Sequence, residues 1–144
     1  MILTLQPRIA ICCAALAFVI AGCASSPTRE SDIWEVTPSA SFSTNYALNA
    51  SNSGYIQITR DDGNSGSACT TNVIVDARSA ARLRPTERVT VRVPVGEHKV
   101  SAEIVGMCPG STSEQTVLVT PDATKRLRVR YGDLPGVFAI LPVD

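Results

Sequence analysis

The chain of 144 residues has room for one domain, because single hydrophobic cores typically form from about 100 to 150 residues. Lys and Arg together number 13 and so do Asp and Glu, which makes the formal net charge zero. This balance argues against a protein that binds nucleic acid through its overall charge, and any electrostatic partner must be met by a local patch.

The first 22 residues have the organisation of an export signal. Arg8 supplies a positive charge, and the 13 residues that follow it, 9–21, carry none. An apolar run of this length is typical of a signal peptide, whereas a membrane-spanning helix needs about 20 apolar residues. We therefore predict that residues 1–22 are a signal peptide that is removed on export.

The end of this run, Ile20, Ala21, Gly22 and Cys23, resembles the lipobox of bacterial lipoprotein signals. The resemblance implies that the Cys23 thiolate receives a diacylglycerol and that the chain is cleaved before Cys23. Ala24 stands where the family's signal for inner-membrane retention has Asp, so the resemblance implies delivery to the outer membrane, on its periplasmic face. Two acyl chains hold a protein stably on a bilayer. The alternative is an ordinary cleaved signal in which Cys23 has no role.

Two of the five cysteines remain for the folded domain. Cys12 and Cys13 leave with the signal peptide and Cys23 is assigned to the lipid, which leaves Cys69 and Cys108. Because export brings them into an oxidising compartment, we predict a disulfide between them. A bridge that closes a loop of about 39 residues contributes roughly 4 kcal/mol by chain entropy. A pair of free buried thiols is the alternative.

Residues 23–53 are rich in Ser, Ala, Asn and Thr and show no sustained period of 2 or 3.6. This composition predicts a flexible tether between the lipidated cysteine and the domain. Ile33 and Trp34 are the candidates for docking on the domain, since a tryptophan loses little by packing against a surface.

Residues 54–144 are predicted to form an all-β domain. Short runs rich in Val, Ile, Thr and Tyr are separated by Gly, Pro, Asp and Asn, and apolar residues such as Val89, Val91 and Val93 alternate with polar ones. The candidate strands are residues 54–60, 72–76, 79–83, 88–93, 97–105, 115–120, 124–131 and 136–141. Seven or eight short strands without a long amphipathic helix favour a two-sheet β-sandwich, with a small closed barrel as the alternative.

A turn at Pro94 and Gly96 predicts a hairpin, because proline presets φ and glycine supplies a positive φ. Together with His98, this turn resembles the P-x-G-x-H hairpin of PEGA-like bacterial domains, which are small β-sandwiches of surface and envelope proteins. The resemblance covers about residues 72–131 and implies a binding or spacer module without catalytic residues. The chain departs from the pattern at Cys108 in the following loop.

Catalytic and metal chemistry have little support in the sequence. His98 is the only histidine, and it alternates with Val100 and Ala102, so we expect a hydrogen-bonded core histidine rather than a catalytic one. Asp61 and Asp62 are interpreted as a solvated hairpin turn, because no carboxylate follows at the spacing that closes a calcium loop. No cofactor or metal site is predicted, and the chain has no nucleophile elbow, P-loop or dinucleotide fingerprint.

Arginines are the remaining charged feature. Arg126, Arg128 and Arg130 alternate along one predicted strand and so share a face, as do Arg88 and Arg92 on another. If these strands are neighbours, the five arginines form a basic patch that fits anionic lipid or an acidic envelope protein. The alternative is a solvated sheet face that keeps the domain soluble.

The sequence thus predicts a membrane-anchored periplasmic lipoprotein that acts as a non-enzymatic binding or structural module of the cell envelope. An accessory subunit of a secretion or pilus-type complex is the first alternative. A hydrolase that uses His98 is the disfavoured one.

Overall fold

The computed structural model describes residues 25–39, 42, 52–63, 66–108, 110–132 and 138–143, which form nine strands in two sheets. The strands are β1 (Trp34–Val36), β2 (Ser53–Arg60), β3 (Thr70–Val75), β4 (Arg78–Leu83), β5 (Glu87–Pro94), β6 (Gly96–Val105), β7 (Thr112–Val119), β8 (Thr124–Tyr131) and β9 (Phe138–Val143). One sheet has the order β1-β5-β2-β8-β9 and the other β4-β3-β6-β7. The predicted two-sheet sandwich is confirmed.

The core lies between the two sheets and follows the alternation of the sequence. Ile56 and Ile58 of β2 and Val89 of β5 point inwards from the five-stranded sheet, and Val73 and Val75 of β3 point inwards from the other. Burying an aliphatic side chain of this size contributes about 1.5–3 kcal/mol, so these residues fix which face of each strand is inside. The eight predicted strands correspond to β2–β9, with ends that agree to within three residues.

The sandwich has two ends, a disulfide end and a hairpin end. At the disulfide end, β2, β4, β6 and β8 end and β3, β5, β7 and β9 begin; at the opposite hairpin end, β5 turns into β6. Cys69 precedes β3 and Cys108 follows β6, and the two are bonded with their Cα atoms 5.9 Å apart. The predicted disulfide is confirmed, and it joins the loops that flank a pair of neighbouring strands.

Residues 25–39 pack on the sandwich, although the sequence predicts a tether from Cys23 to Ser53. After a single 3₁₀ turn, Glu30–Asp32, strand β1 adds to the edge of the five-stranded sheet and runs parallel to β5. Val36 packs against the core and Phe42 lies within it, whereas the side chain of Trp34 is 73% exposed. The segment therefore docks through its backbone, through Val36 and through polar side chains such as Ser25 and Glu30, and not through the Trp34 side chain.

Candidate functional site

The arginines lie on the outer face of the five-stranded sheet. The strands that carry them, β5 and β8, are not neighbours, because β2 lies between them. The register nevertheless aligns the two sets, since Thr59 of β2 pairs with Arg88 on one side and with Arg128 on the other. At about 4.8 Å between strands, those two arginines arise roughly 10 Å apart on one face. The five arginines share one face of the sheet, but β2 separates the two sets.

A groove of about 450 Å³ opens on this face. Residues 27–33 form one rim, and the floor consists of side chains of β2, β5 and β8. Its charged lining residues are Glu30, Asp61, Arg88, Arg126 and Arg128. Three cations and two anions line one groove, so the partners of each arginine decide what the groove offers to a ligand.

Arg88 is already paired with Glu30 of the rim. Its Nη1 and Nη2 donate to the two carboxylate oxygens at 2.5 and 2.7 Å, and its Nε donates to Thr59 Oγ1 at 2.9 Å. This bidentate contact lowers the pKa of Glu30 and raises the pKa of Arg88. The pair fastens the rim to the sheet and neutralises Arg88.

Arg128 is paired with Asp61, which directly follows β2. The Asp61 carboxylate is buried, and Arg128 donates to its Oδ2 through Nε at 3.1 Å and through a closer contact from Nη2. Burial raises the pKa of Asp61, and the hydrogen bond from Arg128 opposes that effect. The interpretation of this turn as solvated is therefore wrong for Asp61, because the adjacent arginine gives its carboxylate a partner away from water. Asp62 is exposed.

Arg126 is the cation in the lining of the groove that has no ion-pair partner among the described residues. It is exposed, and within the part of the chain that the structure describes neither Arg126 nor Arg130 forms an ion pair, whereas Arg92 donates to Ser53 Oγ at 2.8 Å. A guanidinium stays protonated and cannot act as a base, but its fork binds carboxylates and phosphates. The groove has the chemistry to bind an anionic group at Arg126.

His98 does not line this groove and lies at the hairpin end. Its Nε2 donates to Pro94 O at 2.8 Å, and Asp76 Oδ2 lies 2.7 Å from its Nδ1. Gly96 has a φ of 140°, which L-residues rarely adopt. The expected hydrogen-bonded core histidine is confirmed. The P-x-G-x-H pattern has a local cause, because Gly96 adopts the positive φ of the turn and His98 donates a hydrogen bond to Pro94 O across it.

A buried arginine, Arg60, was not predicted. It is 1% exposed, and its guanidinium lies 4.5 Å from the ring centroid of Tyr131. A signal for it exists in the sequence, because Arg60 follows Ile56 and Ile58 with a period of 2 and therefore falls on the inward face. The period alone does not predict burial, because a charged residue at the end of a strand is usually exposed.

Among the described residues, no group of three or more His, Cys, Asp or Glu side chains is placed to hold a metal ion. In the same residues, no helix is long and apolar enough to cross a bilayer. Cys23 lies outside the described residues. Comparison with protein-family models, with curated proteins and with solved structures gives no match to this chain.

Proposed function

We propose that this protein is a lipid-anchored component of the bacterial cell envelope, held on the periplasmic face of the outer membrane and acting as a non-enzymatic binding or structural module. The observation that carries the proposal is the I-A-G-C run at residues 20–23, placed directly after an uncharged stretch of 13 residues. The Cys69–Cys108 disulfide supports it, because structural disulfides persist in oxidising compartments such as the periplasm.

The binding role is assigned to the arginine-lined groove. Arg88 and Arg128 are neutralised by Glu30 and Asp61, so an anionic partner would be met mainly by Arg126, with Arg130 beside it on the same strand. An acidic envelope protein and an anionic lipid share this chemistry. The PEGA-like kinship remains part of the proposal, supported by the hairpin that His98 and Gly96 build.

The hydrolase alternative loses support from the surroundings of His98. Both of its ring nitrogens face acceptors of the protein, Asp76 Oδ2 and Pro94 O, and the side chain is buried. A general base needs a nitrogen within reach of a substrate or of a nucleophile. The hydrogen bonds of His98 instead stabilise the hairpin between β5 and β6.

Mass spectrometry of the mature protein from its native envelope tests the anchor. We expect an N-terminal Cys23 that carries a diacylglycerol, and floatation of the protein with membranes. A Cys23→Ala variant is the control, because it removes the thiolate and leaves the rest of the signal intact. A mature N-terminus at another residue, or an unmodified Cys23, would reject the anchor and the localisation together.

A further inference from the structure

The first described residues are fastened to the disulfide end of the sandwich. Ser25 Oγ donates to Tyr131 O at 2.6 Å and accepts from Tyr131 N at 3.1 Å. Ser26 and Asp62 exchange two backbone hydrogen bonds, of 2.8 and 3.1 Å, in an antiparallel bridge. Since Asp62 follows β2 at the end where that strand leaves the sheet, the chain enters the sandwich from the disulfide end.

Cys23 stands two residues before Ser25. Two residues of fully extended chain span at most about 7 Å. A lipid on Cys23 must therefore lie close to the disulfide end, whatever path those two residues take. An anchor this short brings one end of the sandwich to the bilayer surface, whereas a tether of 30 residues would leave every face of the domain free to turn towards it.

Two large apolar side chains are exposed at this same end. Trp34 begins β1, and its backbone N donates to Thr86 O at 3.0 Å, in the loop from which β5 starts. Met107 is fully exposed in the loop that holds Cys108. No described residue covers either side chain. Tryptophan is enriched at membrane–water interfaces, where its ring meets the apolar boundary and its N–H meets water.

Exposed arginines accompany them. Arg130 lies next to the last residue of β8, and Arg84 lies in the loop between β4 and β5, so both are at the disulfide end. A cation near an anionic leaflet contributes about 1 kcal/mol of membrane attraction. Apolar side chains beside cations are the composition of a surface that rests at the headgroups of a bilayer.

We propose that the disulfide end rests on the phospholipid surface, with Trp34 and Met107 at the level of the headgroups. This inference rests on the proposed lipidation of Cys23. Its consequence concerns the arginine-lined groove, which lies on a sheet face and not on an end. With the disulfide end on the bilayer, the groove opens sideways into the periplasm and is accessible to a soluble partner.

The test uses Trp34, which is the only tryptophan of the chain. The mature lipidated protein is reconstituted into vesicles of phosphatidylethanolamine and phosphatidylglycerol, with and without brominated phosphatidylcholine, which quenches nearby tryptophans. We expect roughly a twofold loss of Trp34 emission, because an interfacial side chain lies within about 5–10 Å of the headgroup boundary. The double variant Trp34→Phe, Met107→Trp should be quenched to a similar degree.

The matched control moves the tryptophan to the hairpin end. Leu118 is 57% exposed near the end of β7, roughly 20 Å along the strand from Thr112. The double variant Trp34→Phe, Leu118→Trp should keep its emission in brominated vesicles. Both substitutions are made at exposed positions, so the fold is expected to tolerate them.

The possible outcomes separate this inference from the proposed function. A lipidated protein whose Trp34 and Met107→Trp are not quenched overturns the orientation and leaves the anchor standing. Equal quenching at Leu118→Trp also overturns it, because the sandwich would then lie on its side. An unlipidated protein that does not float with vesicles rejects the proposed function, and the orientation falls with it.

Discussion

Arg60 is held by carbonyl oxygens and an aromatic ring rather than by a carboxylate. Its Nη1 donates to Cys69 O and Leu83 O at 2.6 and 3.0 Å, and its Nη2 donates to Gly66 O at 2.5 Å. Burial lowers the pKa of Arg60. One side chain thus satisfies backbone acceptors from the loop before β3 and from the end of β4, and packs on Tyr131 of β8. It organises the disulfide end from within.

Replacement of Arg60 by methionine should lower the free energy of unfolding by about 2–4 kcal/mol. The change removes a buried charge, which by itself can be neutral or favourable, but it leaves the fixed carbonyl groups of Cys69 and Leu83 without donors. Chemical denaturation of both proteins measures the difference. Arg82→Met, at an exposed position of β4, is the control and should change stability by less than about 0.5 kcal/mol. Equal stabilities for the two variants would contradict the proposed role of Arg60.

The disulfide gives a second prediction for single residues. Cys69 and Cys108 are separated by 39 residues, and closing a loop of this length is worth roughly 4 kcal/mol. The double variant Cys69→Ser, Cys108→Ser should lose stability of that order in chemical denaturation. Reductant should destabilise the wild type by a similar amount and leave the double variant unchanged. A wild type that is insensitive to reductant would show that the bridge contributes little to stability.

Among the elements, β2–β9 could be predicted because each has at least two inward apolar residues in alternation. Strand β1 could not, since Trp34–Val36 is too short to show a period and its partner Glu87–Val89 is about 50 residues away. The contact between Ser25 and Tyr131 spans 106 residues and joins a serine hydroxyl to backbone groups of Tyr131, which are present at every residue and so give no signal in the sequence. The position of β2 between the two arginine strands depends on strand order, which alternation does not encode.

Docking of the N-terminal segment should weaken in acid. Arg88 lowers the pKa of Glu30 in the folded state, so the pair stabilises docking fully above the ordinary glutamate pKa of 4.5 and loses that effect as pH falls through the lowered value. Asp61 has the opposite sign, because burial raises its pKa and its contribution declines as pH rises. Glu30→Gln removes the first effect without touching the second.

Fluorescence anisotropy of Trp34 reports the docking, because a freed segment reorients faster than the sandwich. We expect the wild-type anisotropy to fall as the solution is acidified below the ordinary glutamate range. Glu30→Gln should show a lower anisotropy at neutral pH and no further change over that range. Asp32→Asn, in the same turn, is the matched control and should follow the wild type, because among the described residues the Asp32 carboxylate accepts a hydrogen bond only from Ser31 Oγ. Parallel curves for Glu30→Gln and the wild type would show that the ion pair does not hold the segment.

At the scale of the whole molecule, zero net charge means that attraction to an anion depends on where the charges lie. Arg88 and Arg128 are held in ion pairs, and the exposed cations Arg126 and Arg130 remain as a stripe along β8 on the outer face. The anchor and this stripe act differently: the lipid fixes the end of the sandwich that meets the bilayer, and the stripe supplies a local field that runs from Arg126 beside the groove to Arg130 at the disulfide end. Removal of the lipid should leave the second intact.

A soluble form that begins at Ala24 tests the stripe by itself, since without the lipid it can present any face to a vesicle. We expect it to bind phosphatidylglycerol vesicles better than phosphatidylcholine vesicles, and the double variant Arg126→Ser, Arg130→Ser to lose roughly tenfold or more in affinity, at about 1 kcal/mol per arginine. Arg128 is left in place, because its removal would leave the buried Asp61 carboxylate without its partner.

The control is the double variant Arg78→Ser, Arg82→Ser, which removes the same charge from the other sheet and should bind nearly as the wild type does. The difference between the two double variants should vanish near 1 M salt, where the screening length falls to about 3 Å. Equal binding by both variants at low salt would mean that only total charge matters, and that the stripe is a solvated face.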